Sequence, residues 1–122
     1  MKWRKPSEDL VKAFDVALPR TALVERRKMF GFPSAFVRGN MFAGIFQDSV
    51  MVRLSEAERK SLIRKGWSQF EPMPGRPMKE YLSVPGSIVA APSQLREWLK
   101  NAFDYASSLE PKVKGIKAKK QA

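Results

Sequence analysis

The sequence contains neither cysteine nor histidine among its 122 residues. Without cysteine the chain has no disulfide framework, no thiolate nucleophile and no cysteine-bound zinc or iron–sulfur site. The absence of histidine removes the commonest metal ligand and the one side chain whose ordinary pKa lies near neutrality. Most hydrolase and metalloenzyme mechanisms are therefore excluded, and an enzyme would depend on carboxylates, lysine or tyrosine. We predict no metal, no cofactor and no catalytic residue.

Long apolar segments are missing as well. The apolar runs are interrupted by glycine, arginine or glutamine within a few residues, so we predict no membrane-spanning segment. The first six residues carry positive charge without an apolar stretch behind them, which is not the pattern of a signal peptide. We therefore expect a cytoplasmic protein.

Positive charge is in large excess. The chain has 23 Lys and Arg against 12 Asp and Glu, a formal net charge of +11, while its 43% of hydrophobic residues suffices for one compact core. Five of the lysines lie after residue 111, in a segment with no acidic residue and little to bury. We predict a folded domain over residues 1–110 and a disordered basic tail over residues 111–122.

The first half of the chain has the pattern of one helix followed by strands. Apolar residues at helical spacing predict a helix over residues 7–18, capped by Ser7. Over residues 24–54, short apolar runs separated by tight-turn candidates predict three or four antiparallel strands. The strand over residues 41–46 is apolar on both faces, which predicts cover on both sides by helices or by a second subunit.

The second half alternates helices with strands. A capping box over residues 55–58 predicts a helix that ends near Lys65. Two strands are predicted over residues 67–70 and 79–84, and the longest helix over residues 93–109, with its first residue as the cap. The predicted order is helix, three or four strands, helix, two strands, helix. We therefore predict a two-layer α+β domain, with an antiparallel sheet of five to six strands packed with helices.

The proline-rich loop between the last two strands is the first candidate site. Three prolines and a glycine in residues 72–78 restrict the backbone, so the loop could present a cation and two adaptable methionines to a partner. The candidate partner-binding residues are Met73, Pro74, Gly75, Arg76, Pro77 and Met78. The alternative is a plain hairpin connection whose methionines lie under the sheet and whose Arg76 pairs with Glu71 or Glu80.

Two aromatic-rich segments and the flanking carboxylates are further candidates. Residues 29–31 and 40–42 could form an apolar pocket or a subunit interface, or they are core strands with Gly31 at a bulge or turn. Glu71 and Glu80 flank the proline-rich loop, and their approach across a hairpin could form a minimal acid–base pair.

Clusters of cations make nucleic acid a candidate partner, since phosphate contacts release counterions. No recognition helix or RNA-binding aromatic signature accompanies them, and several clusters are interleaved with acidic residues, as on an ordinary solvated helix face. We predict weak, charge-driven binding by the tail, with specific binding of nucleic acid as the alternative. The candidate contacts are Arg26, Arg27, Lys28, Lys112, Lys114, Lys117, Lys119 and Lys120.

Several motifs together resemble a known family. They are RKMFG at 27–31, NMFAG at 40–44, LS at 54–55, FEPMPGRPMKEY at 70–81, VP at 84–85, and a helix with Leu95, Trp98 and Ala102. The chain resembles the TfoX/Sxy N-terminal domain family over residues 10–109, and looks like its stand-alone, single-domain branch. Residues 32–33, Phe-Pro, depart from the Met-Phe-Gly-Gly start that is more common in the family.

The resemblance implies a two-layer fold similar to that of secretion chaperones, in bacterial cytoplasmic proteins. Longer members of the family regulate competence for DNA uptake and carry a second domain of helical-hairpin type, and no catalytic residues come with the family. The leading hypothesis is a non-enzymatic domain that acts through protein–protein contacts, as a homodimer and in the manner of a competence co-regulator. The alternatives are a basic accessory protein that binds nucleic acid and an enzyme based on carboxylates.

Overall fold

The computed structural model describes residues 5–111. None of the helices in this part of the chain is long and apolar enough to span a membrane. In chain order the elements are α1 (Glu8–Ala17), β1 (Val24–Met29), β2 (Phe32–Val37), β3 (Asn40–Phe46), β4 (Ser49–Arg53), α2 (Glu56–Arg64), β5 (Ser68–Gln69), β6 (Tyr81–Ser83), α3 (Gly86–Val89) and α4 (Pro92–Ser107).

The six strands form one antiparallel sheet in the order β1-β2-β3-β4-β6-β5. The first four strands follow one another as a meander, and β6 returns to pair with β4. Helix α4 packs across β3 and β4, and α1 and α3 pack beside it. The predicted α+β fold, with a sheet of five to six strands packed with helices in this order, is confirmed.

The main core lies between the helices and one face of the sheet. Phe14 of α1 and Leu99 of α4 are fully buried there against Val50 and Val52 of β4. Met51, between these two valines, points to the other face, as the period of two in a strand requires. Met51 is itself only 1% exposed, so β4, like its neighbour β3, is buried on both faces.

The opposite face of the sheet has its own apolar cluster. Its buried members are Phe32, Met41, Phe46, Met51, Phe70 and Tyr81. Phe46 is at the centre, with ring centroids 5.2 Å from Phe32 and 5.6 Å from Phe70 in edge-to-face geometry, which favours the quadrupoles of the rings. We call this set the second cluster.

All seven residues of β3 are buried in the single chain. Helices cover one face, as predicted, but the other face is covered neither by helices nor by a second subunit: the second cluster, formed by side chains of the sheet's own strands together with Phe70, buries it. A second subunit is therefore not needed to bury this strand. The homodimer stays a prediction, but the strand that is apolar on both faces no longer supports it.

A bulge in β3 aims an aromatic ring at the helices. Ala35 pairs with Ala43 and Phe36 with Met41, so Phe42 has no direct partner in β2. Its ring turns into the main core, with its centroid 5.5 Å from that of Phe103 in α4. The core interpretation of residues 40–42 is the one that the packing supports.

The other aromatic-rich segment is a turn. Phe30 and Gly31 connect β1 to β2 with φ angles of 57° and 82°, and Phe30 is 45% exposed. Gly31 thus serves a turn rather than a bulge, because glycine adopts positive φ without steric cost. Phe30 is not a core residue, since the turn places its ring at the surface beside Phe46.

Two helix starts match the sequence and one does not. Ser7 Oγ accepts a hydrogen bond from the Leu10 amide at 3.0 Å, and Ser55 Oγ accepts one from Glu58 at 3.3 Å. The predicted Ser93 cap is wrong, because α4 already begins at Pro92 with no side-chain cap. Proline suits the first helical position, where its missing N–H is not needed. Helix α3 was not predicted, since four residues show no periodicity.

Removing the Phe42 ring tests the bulge. Phe42→Ala should lower the free energy of unfolding by about 3–5 kcal/mol, the usual cost of truncating a buried aromatic side chain. The control Leu23→Ala truncates a side chain that is 62% exposed. It should change the free energy of unfolding by less than about 0.5 kcal/mol. Urea unfolding measures both, and equal losses would contradict the placement of Phe42.

Candidate functional site

The base of the proline loop, which we define as residues 72–78, is closed by hydrogen bonds. Gln69 Nε2 donates to the carbonyl oxygens of Met78 at 2.7 Å and Tyr81 at 2.9 Å. The Met78 amide donates to the carbonyl oxygen of Phe70 at 3.0 Å. Since Phe70 itself is buried in the second cluster, the base of the loop is anchored to the core of the domain.

The tip of the proline loop is a tight turn. The Arg76 amide donates to the Met73 carbonyl oxygen at 2.9 Å, and Gly75 adopts a φ of 78°. The Glu71 carboxylate accepts a hydrogen bond from the Gly75 amide. This side-chain contact, added to three prolines, holds the backbone of the loop in one conformation.

The side chains at the tip face solvent. Residues 73–77 are exposed, with Met73 at 39%, while Met78 is half-buried against the second cluster. Across the described range 5–111, no residue forms a hydrogen bond or ion pair with the Arg76 guanidinium. Of the contacts expected for a plain hairpin connection, only the burial of Met78 is present.

The two glutamates that flank the loop are engaged separately. Glu80 Oε1 accepts a hydrogen bond from Arg53 Nε at 2.6 Å, and the Arg53 guanidinium lies 5.8 Å from the centroid of the Tyr81 ring. Glu71 is engaged with the loop backbone. Each carboxylate is therefore held by a different group, and the structure shows no acid–base pairing between them.

Tyr81 is a buried hydroxyl in this region. Its Oη donates to the Met41 carbonyl oxygen at 2.8 Å. Burial raises the pKa of Tyr81 to about 12, and the Glu80 charge adds to the rise while the Arg53 charge opposes it. The group is thus neutral at physiological pH and serves as a donor.

The candidate nucleic-acid contacts on β1 are mostly occupied. Arg26 forms two hydrogen bonds to Asp15, at 2.7 and 2.9 Å, and Arg27 forms two to Glu25, at 3.0 and 2.9 Å. Lys28 has no ion-pair partner among the residues that the structure describes. The other candidates, Lys112, Lys114, Lys117, Lys119 and Lys120, lie outside the described residues.

A groove in the helix layer was not predicted. It runs between α1 and α4, and Val16, which is 51% exposed, lies in it. We call it the α1–α4 groove. The available signal was Val16 itself, an apolar residue that stands outside the stripe formed by Phe14, Ala17 and Leu18.

Comparison with protein families gives one result that covers most of the chain. The TfoX N-terminal domain family matches residues 17–106, which run from the last residue of α1 almost to the end of α4. The chain belongs to the TfoX N-terminal domain family. Comparison with curated proteins gives no match.

The TfoX N-terminal domain family is in general non-catalytic. The proline loop and the second cluster lie inside the range that the TfoX N-terminal domain covers, whereas α1 contributes only Ala17 to it. Apart from Ala17, the α1 wall of the α1–α4 groove therefore belongs to the part of this chain that the family match does not cover.

Two arginine variants test whether Arg76 holds the structure together. Arg76→Ala should leave the free energy of unfolding unchanged within about 0.5 kcal/mol, because the side chain has no ion-pair or hydrogen-bond partner in the described part of the chain. Arg53→Ala should cost about 1 kcal/mol, because it removes the contacts to Glu80 and to the Tyr81 ring. Urea unfolding compares them, and an equal loss for Arg76→Ala would assign it a scaffolding role.

An alkaline titration tests the burial of Tyr81. Tyr105→Phe leaves Tyr81 as the only tyrosine of the two, and its phenolate absorbance should appear with a midpoint near pH 12. Because the folded pKa exceeds the unfolded value of about 10, the stability from the neutral phenol is complete below pH 10 and lost between pH 10 and 12. Tyr81→Phe should remove this loss of stability between pH 10 and 12. A titration midpoint of Tyr81 near pH 10 in the folded protein would contradict its burial.

Proposed function

We propose that this TfoX N-terminal domain acts without catalysis, by binding a protein partner through the proline loop. The observation that carries the proposal is the exposed tip, where Met73 and Arg76 project from a backbone that is already fixed, and where Arg76 has no hydrogen-bond or ion-pair partner among residues 5–111. A fixed loop loses little conformational entropy on binding, so contacts made there contribute more fully to affinity.

The chemistry of the tip suggests the partner's surface. An arginine with five donors recognises carboxylates, and a flexible methionine adapts to an irregular apolar surface. The partner that fits best is a protein with an acidic group beside an apolar depression. Met78 would support this contact from below, since it anchors the loop to the second cluster.

The carboxylate alternative has less support. Glu80 is held by Arg53, and Glu71 is held by the backbone of the loop that it shapes. General acid–base work requires a group that is free to exchange a proton with a substrate. A binding role in the manner of a co-regulator is therefore favoured, and the longer members of the family, which the resemblance identifies as competence regulators, suggest that role. The bacterial, cytoplasmic setting stays a prediction.

Nucleic-acid binding is the second candidate, because of the net charge of +11. Within the described residues, 16 Lys and Arg face 12 Asp and Glu, and two of the three β1 cations are paired. This alternative predicts an affinity for DNA that falls steeply with salt. Affinity that does not change with salt would count against it.

A pull-down from bacterial lysate, with and without nuclease, separates the two candidates. We expect the domain to retain a protein partner after nuclease treatment, and Arg76→Glu to reduce its capture because the anchor charge is reversed. Arg64→Glu is the control, since it makes the same charge change at an exposed position on α2.

Two results would contradict the proposal. One is a partner that disappears with nuclease, which would favour the nucleic-acid alternative. The other is equal loss of capture in Arg64→Glu and Arg76→Glu, which would reflect overall charge rather than the loop. Light scattering on the purified chain tests the predicted homodimer.

A further inference from the structure

The α1–α4 groove is a continuous surface. It consists of two cavities of about 290 and 440 Å³ that share Val16, Ala17 and Arg96. One cavity extends towards α3 and the start of α4, and the other extends towards Phe103 further along α4. The groove therefore follows the axis of α4, in the helix layer and away from the second cluster.

The floor of the groove is apolar. α1 contributes Ala13, Val16 and Ala17, and α4 contributes Leu95 and Phe103. Val16 is 51% exposed, and it lines both cavities of the groove as well as a third cavity beside α1. A contiguous apolar surface with a polar rim is the usual composition of a site where a partner binds.

The rim carries an excess of positive charge. Lys12, Arg20 and Arg96 have no ion-pair partner within the described part of the chain, while Lys100 is paired with Asp104 at 2.9 Å. Asp9 is the one rim carboxylate with no ion-pair partner in the same range. The groove is therefore complementary to an apolar surface that is flanked by carboxylates.

We propose that the α1–α4 groove binds an amphipathic helix of a partner protein, with its apolar face on Val16 and acidic residues against the rim. Two packed helices offer a third helix a groove in which residues at i, i+3, i+4 and i+7 can anchor. Arg96 and Lys100 are one turn apart, so glutamates at i and i+4 on the partner helix repeat at the same distance, about 6 Å.

The shape of the groove favours a helix over a small amphiphilic carboxylate. A pocket for a small ligand encloses about 70–90% of the ligand's surface. The groove instead stays open along α4, and half of the Val16 side chain remains in contact with solvent. This surface is independent of the proline loop, so its test does not depend on the proposed function.

The probe is a capped, fluorescently labelled peptide with the 16-residue length of α4. It carries leucines at i, i+3, i+4 and i+7 and glutamates beside them. One control peptide replaces every glutamate by lysine, and another has the same composition without an apolar face. Fluorescence anisotropy measures affinity for the full chain, and backbone amide NMR shifts locate the binding surface.

Two variants with matched controls report on the groove. Val16→Asp should weaken binding of the acidic peptide at least tenfold, whereas Ile63→Asp, at a 46% exposed position on α2, should not. Arg96→Glu should weaken it about tenfold, or about 1.4 kcal/mol, and Arg64→Glu is its control. Because all four side chains are exposed, the variants should fold, which the NMR spectra verify.

The charge exchange is the sharpest arm of the test. Arg96→Glu should bind the lysine peptide more tightly than the wild-type chain does, since the reversed charges then attract. The proposal is overturned if the acidic peptide causes no shifts at about 1 mM, the weak end of specific recognition. It is also overturned if the acidic and lysine peptides bind equally, or if Val16→Asp and Arg96→Glu bind like their controls.

Discussion

The burial of β3 on both faces is the constraint on which the rest of the structure depends. Helices cover one face, and the second cluster covers the other, so every residue from Asn40 to Phe46 is buried. The bulge at Phe42 allows β3 to pack on both faces. It places the Phe42 ring in the main core with the helices, while Met41 stays in the second cluster. One chain thereby encloses a strand whose sequence has no polar face.

The two candidate binding surfaces lie on the two layers that this strand separates. The proline loop rises from the second cluster through Phe70 and Met78, and the α1–α4 groove lies in the helix layer. Each surface rests on buried side chains that the core already holds in place. Rigid support of this kind reduces the entropy lost on binding, which is why both surfaces suit recognition.

Much of the fold follows from the sequence, because periodicity and caps are local signals. Ser7 and Ser55 mark helix starts, and the turn residues separate the strands of the meander. Which groups bury the two faces of β3, and whether the Arg76 side chain faces solvent, depend on contacts between distant segments. No local sequence pattern contains that information. The groove was missed for the same reason, since a single apolar residue such as Val16 has meaning only beside α4.

Amide hydrogen exchange of β3, followed over a range of protein concentrations, tests the central claim most directly. If one chain buries the strand, the β3 amides should be among the slowest to exchange, and their rates should not change on dilution. Exchange of β3 that accelerates as the protein is diluted would show that a second copy supplies part of the cover, and would contradict this account.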